Sequence, residues 1–235
     1  MDDLLSGIDA LLFDKDGTLV DYDRSWEPVN RKAAMLAARG DAALARRILA
    51  ECGTDPDTGI TRAGSLFAAG NAAEIAARMV RCGAPFTEVA LMNGIDALFE
   101  ESAAHAVPIC DLAPVLDALA PRALGIATSD GEASARTTLA AFGLADRFGF
   151  VAGYDSGHGA KPGPGMVLAF AAALGLPPER VAVVGDNTHD MAMARAAGAR
   201  AIAVLSGTGN REDLAPLADA VIGSVSDLRD ACARR

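Results

Sequence analysis

Apolar positions along the chain follow two rhythms. Short unbroken apolar runs alternate with helical patterns in the second half, whereas residues from Asp21 to about Ala104 show the helical pattern only. Ile8 to Phe13 reads as a buried strand. Trp26 to Arg39 is Ala-rich with charges at helical spacing, and Asp41 is placed to cap a helix over Ala42 to Glu51. Cys52 to Gly59 is dense in turn formers and reads as a loop. Two further amphipathic helices are predicted over Asn71 to Cys82 and Thr87 to His105.

After Pro108 strand and helix alternate. Leu112 to Leu119 is a helix and Leu124 to Ser129 a strand ending in hydroxyls. Glu132 to Phe142 is a helix closed by Gly143, Phe148 to Ala152 a short strand, and Gly163 to Leu174 a helix stopped by Gly175. Val181 to Val184 is a strand running into Gly185-Asp186-Asn187, and Asp190 to Ala197 a helix ended by Gly198. Ala201 to Leu205 and Ala220 to Ile222 complete the strands. Strands that are apolar throughout and separated by helices predict an α/β fold, a doubly wound, Rossmann-like parallel sheet covered on both faces. The expected organisation is a core from residues 1–20 and 106–235, interrupted by a helical module from 21–105.

Composition narrows the function. Of 235 residues, 51% are hydrophobic, enough for a sizeable core. The net charge of −10 argues against nucleic acid as a partner while leaving room for a small phosphorylated metabolite whose charge is met locally. Cys52, Cys82, Cys110 and Cys232 are too dispersed for a zinc or redox motif. Met1-Asp2-Asp3 is acidic, with no secretory pattern, and no apolar run is long enough to span a bilayer. A cytoplasmic protein with no membrane partner is expected, its oligomeric state left open, a homodimer included.

In a parallel sheet, ligands bind beyond the C-terminal ends of the strands. Asp14 and Asp16 stand at the first such end, and in an extended strand they share one face with Lys15 turned away. Thr128 and Ser129 end the second strand, Lys161 precedes a helix in Gly159-Ala160-Lys161-Pro162-Gly163-Pro164, and Asp186 and Asp190 flank the turn after the fourth. Each has an ordinary structural reading alone; Asp186, for example, is a credible helix cap. Together they suit phosphoryl transfer. Clustered acids favour a hard divalent cation such as Mg²⁺, a carboxylate can act as nucleophile, a second can move protons, and a hydroxyl and an ammonium can hold phosphoryl oxygens.

The order of Asp14-Lys15-Asp16-Gly17-Thr18-Leu19-Val20, Ile126-Ala127-Thr128-Ser129, Lys161-Pro162-Gly163-Pro164 and Val184-Gly185-Asp186-Asn187-Thr188-His189-Asp190-Met191 resembles the haloacid dehalogenase-like hydrolase superfamily. The helical insert and the segment Val204 to Leu214 are similar to its phosphoglycolate phosphatase-like branch, which carries a small helical cap. The resemblance implies that Asp14 is the nucleophile and Asp16 the general acid and base. It implies that Thr128 and Lys161 bind the phosphoryl group; Gly17, Thr18 and Ser129 are further substrate-binding candidates, Ser129 because strand ends are ligand sites in such a sheet. Mg²⁺ is then held by Asp14, the Asp16 carbonyl and Asp186, with Asp190 supporting or ligating. Dehalogenases and phosphonatases of the superfamily lack the second acid, so Asp16 points to a phosphate ester, with phosphoglycolate as the default substrate. Lys15 and Asn187 depart from the residues usual at their positions.

In the insert, Arg24, Trp26, Arg62 and Ser65 are candidates to face the substrate, the arginines suiting an anion. His189 is a candidate near the metal, whereas Asp130-Gly131 reads as a simple turn. Two alternatives share the first half-reaction or its geometry: a phosphomutase, which passes the phosphoryl group to a sugar, and a receiver-like phospho-aspartyl switch, about half this length.

Overall fold

The computed structural model describes residues 4–233, so the acidic start Met1–Asp3 lies outside the described residues. Six parallel strands form one sheet: β1 Ala10–Phe13, β2 Ala123–Ala127, β3 Phe150–Ala152, β4 Val181–Gly185, β5 Arg200–Val204 and β6 Ala220–Ile222. Their order is β3-β2-β1-β4-β5-β6, the doubly wound arrangement expected from the sequence. The direction of winding reverses between β1 and β4, which pair from Ala10 with Val181 to Phe13 with Val184.

The strands are apolar throughout because both faces are covered. Along β1, Leu11 and Phe13 enter one core with Ile126, Val184 and Val204, while Ala10 and Leu12 enter the opposite core with Val181 and Val183. Helices α6 Leu112–Ala118 and α7 Glu132–Ala141 cover the first face, and α8 Gly165–Leu174 and α9 Thr188–Ala197 the second.

The stretch between β1 and β2 is helical. It comprises α1 Tyr22–Ala37, α2 Ala42–Cys52, α3 Leu66–Ala69, α4 Ala72–Arg81 and α5 Glu88–Ala103. These helices share a core of their own, with Trp26, Ile48, Ile75, Met79, Leu91 and Ile95 inside. α1 begins four residues before the sequence reading, because the Asp21 side chain accepts from the Arg24 amide and caps it there. α3 is missed because one helical turn carries no periodic signal; α10 Arg211–Leu214 escaped for the same reason. α11 Ser226–Ala233, at the chain's end, was also not anticipated.

The chain leaves and returns to the sheet at one place. Val20 and Pro108 form an antiparallel bridge, and the Asp21 amide donates to the Val107 carbonyl at 2.8 Å. The helical layer also touches the core through α5, which packs on α7, and through the Tyr154 hydroxyl, which donates to Asp96 at 2.9 Å. Among the described residues no helix is long and apolar enough to cross a membrane.

Candidate active site

A cavity lies between the C-terminal ends of β1, β2 and β4 and the underside of α1, α3 and α4. Asp14, Asp16, Thr128, Ser129, Lys161, Asp186 and Asp190 all line it, so four stretches spread over the sequence meet at one point. The sheet dictates this. The Asp14 amide still donates to the Val184 carbonyl at 2.8 Å, and the Thr128 amide donates to Ala152 at 3.0 Å, so the ladder aims both side chains past the strand ends.

Lys161 is the hub of the site. Its ammonium donates to Asp14 Oδ1 at 2.5 Å and to Asp190 Oδ1 at 2.6 Å, with all three side chains buried. Asp14, Asp186 and Asp190 each offer an oxygen, and these oxygens lie within 4.8 Å of one another. Burial pushes the Asp14 carboxyl up to about 6 against the pull of Lys161, with repulsion from Asp190 adding to it. Asp186 is raised well above the carboxylate range by burial and by repulsion from Asp14 and Asp190. For Lys161 burial works against the charge, but Asp14 and Asp190 outweigh it and hold the ammonium above its usual range. Three oxygen donors that repel one another in a buried site could hold a hard divalent cation.

Each acid is fixed from behind. Asp186 Oδ2 accepts from the Thr208 amide at 2.8 Å. Asp190 Oδ2 accepts from the Asn187 amide at 3.0 Å, while Asn187 caps α9 through its own side chain. Two glycines make room for Asp186. A Cβ at Gly207 would sit 2.1 Å from its Oδ2, and one at Gly17 would sit 2.6 Å away on a backbone with φ of +83°.

Asp16 lies beside this cluster rather than in it. β1 ends at Phe13, and the Lys15 carbonyl accepts from the Leu19 and Val20 amides, so the chain has already turned. The alternation of an extended strand therefore stops before Lys15, which is not turned away. Its buried ammonium bonds Asp16 Oδ1 at 2.8 Å and Asp130 Oδ2 at 3.1 Å, and lies 4.9 Å from the Trp26 ring centre. Trp26 Nε1 donates to the same Asp16 oxygen at 2.5 Å. Burial raises the Asp16 carboxyl to about 6, offset by Lys15 and reinforced by Asp130 and Asp14.

Asp130 corrects the reading of Asp130-Gly131 as a simple turn. It is buried, lines the cavity and accepts from Ser134 Oγ at 2.5 Å as well as from Lys15. Thr208 and Tyr22 were likewise missed, since a loop threonine and a helix-start tyrosine carry no motif. Gly17 and Thr18 form the turn under Asp186 and do not line the cavity. Arg24 and Arg62 are exposed and lie outside the lining, with Arg24 facing Asp21 at 3.9 Å. Ser65 sits against Gly53, away from the cavity. Trp26 and His189 do line it.

Residues 8–198 match the family model of the haloacid dehalogenase-like hydrolases. The chain belongs to that family. Among the hydrolases it is similar to, a phosphoglycolate phosphatase of Photorhabdus laumondii is 26% identical over 232 residues, 96% of this chain and 92% of the relative. A phosphoglycolate phosphatase of Chromobacterium violaceum is 39% identical over 88 residues, and that match spans 37% of this chain and 39% of the relative. The fold is shared with CbbY from Rhodobacter sphaeroides, solved in complex with phosphate. That likeness has a TM-score of 0.70 and 23% identity, and covers 94% of this chain and 96% of the other.

Proposed function

We propose that the protein is a Mg²⁺-dependent phosphatase that hydrolyses a small phosphate monoester through an aspartyl-phosphate. The observation that carries this reading is the contact of Lys161 with Asp14 beside the cluster of Asp14, Asp186 and Asp190. A nucleophilic carboxylate, a fixed ammonium and a cation-binding acid set then stand at the reversal point of the sheet, where ligands bind in such folds. The names of the relatives, phosphoglycolate phosphatases among them, support the same class of reaction.

In the first step an Asp14 oxygen attacks phosphorus while the bond to the ester oxygen breaks. Asp16 gives its proton to the departing alcohol. In the second, Asp16 takes a proton from water, the water oxygen attacks phosphorus, and Asp14 is released with inorganic phosphate. Thr128 and Lys161 hold the non-bridging oxygens, where charge spreads in the transition state. Mg²⁺ held by Asp14 and Asp186, with Asp190 supporting, would neutralise phosphoryl charge. The helical module of residues 21–105 acts as a cap that closes over the bound ester and keeps bulk water out.

Asp14→Asn keeps the shape of the side chain and removes its nucleophilic charge. The variant is expected to fold as the parent does by circular dichroism and to lose at least about a thousandfold in turnover, as loss of a covalent nucleophile does elsewhere. Near-parental phosphate release from a monoester panel, with contaminating phosphatase excluded, would sink the mechanism.

A further inference from the structure

The cap-facing wall of the cavity speaks to the leaving group. Tyr22, Trp26, Phe67, Ile75 and Phe99 make up most of it, with Ala68, Ala69 and Gly70 between them. Trp26 and Phe99 meet edge to face at 4.8 Å, and the Tyr22 hydroxyl is occupied by the Phe67 carbonyl at 2.7 Å. Opposite stand five carboxylates, Asp14, Asp16, Asp130, Asp186 and Asp190, with Thr128, Ser129, Asn187 and His189 among them and one ammonium in the lining, that of Lys161. Lys161 is already shared by Asp14 and Asp190, and Lys15 behind the wall is shared by Asp16 and Asp130. The arginines that could have met an anion, Arg24 and Arg62, are on the outside. The cavity between them measures ≈ 50 Å³.

We infer that the substrate is a phosphate monoester of a small, uncharged, largely apolar alcohol, and that a leaving group bearing a carboxylate is selected against. This rests on the phosphatase reading above and departs from phosphoglycolate as the default. The physics is that of a charge without a partner. A phosphoryl group is met by Lys161 and by the cation that the acids would hold, but a second anion on the leaving group would face aromatic and methyl surface with acids behind it. An apolar leaving group exchanges water for the faces of Trp26, Phe67 and Phe99, which favours binding. Specificity then comes from rejection as much as from attraction.

A matched pair of substrates tests this: phosphoglycolate and its amide, phosphoglycolamide, which differ in charge and hardly in size. The full-length protein with Mg²⁺ is expected to show kcat/KM about tenfold or more higher for the amide, a difference of about 1.4 kcal/mol. Equal rates, or a preference for phosphoglycolate, overturn the inference. Ala68→Lys, which sets a cation in the cap wall, should raise the rate on phosphoglycolate relative to the amide; an unchanged ratio also counts against the inference. If neither ester releases phosphate, absence of release from the whole monoester panel is what fails the phosphatase reading, and calorimetric binding of both compounds to the Asp14→Asn variant decides the charge question separately. Tighter binding of the amide by about tenfold upholds the inference there, and equal or weaker binding overturns it.

Discussion

Asp16 has two oxygens in different surroundings. Oδ1 is claimed by Lys15 and by the Trp26 indole, which leaves Oδ2 as the oxygen available to an ester. Lys15 in turn depends on Asp130, whose remaining capacity is used by Ser134 and the Gly131 amide. Removing one member of such a buried set leaves an uncompensated charge, which costs about 3–5 kcal/mol. Lys15→Met is therefore expected to lower stability in urea unfolding by roughly that amount, with partial recovery in Lys15→Met/Asp130→Asn. It should also slow alkyl phosphates more than aryl phosphates, because only the poorer leaving group needs a well-placed proton. Equal slowing of both ester types would show that Lys15 serves the fold alone. The acids themselves were legible in the sequence, since Asp14, Asp16, Asp186 and Asp190 sit where apolar runs stop. The direction of Lys15 was not, because strand alternation says nothing once the chain has turned. Asp130 and Thr208 were hidden for a related reason. Their importance lies in contacts with residues 115 and 22 positions away, which spacing along the chain cannot express.

At the scale of elements, the strand-and-helix alternation was readable because each strand is buried on both faces and each long helix has a stop. The N-caps of Asp41, Asn71 and Thr87 mark α2, α4 and α5, and each side chain accepts from amides in the first turn. What escaped was short or loop-borne, above all, within the segment Val204 to Leu214, the contact by which the turn Ser206 to Gly209 brings Thr208 onto Asp186. That turn makes a sharp test of how the acid set is held. Gly207→Ala would thrust a methyl group into the Asp186 carboxylate. The variant is expected to fold with a loss of about 1–3 kcal/mol, as overpacking does. Its Mg²⁺ half-saturation, read by titration of activity or by calorimetry, should rise by about 10–100-fold. An unchanged Mg²⁺ requirement would mean that Asp186 takes no part in holding the cation.

For the molecule as a whole, the acid cluster ties stability to pH and to metal. Asp14 and Asp16 are raised from 3.8 to about 6 in the folded protein. Between those values the folded state holds more protons than the unfolded chain, so these groups make folding less favourable as pH rises through that window. As pH passes 6, Asp14 and Asp16 ionise and the repulsion within the site grows, and a cation relieves it. The difference in Tm between Mg²⁺ and chelator is therefore expected to be small near pH 4.5 and to grow as pH passes 6. A difference independent of pH would show that Mg²⁺ does not bind at these acids.

The place where the chain crosses between sheet and helices has a consequence of a different kind. Val20 and Pro108 lie side by side, so the 87 residues between them form a loop whose two ends are already stapled together. For the parallel strands on either side, that loop is an excursion from the crossover that joins them. Its length and sequence can change without altering the pairing of β1 with β2, because loop closure grows costlier only with the logarithm of length. Variation in the insert thus rewrites the apolar wall over the cavity while the acids beneath keep their positions, so one sheet can serve successive leaving groups in the course of descent.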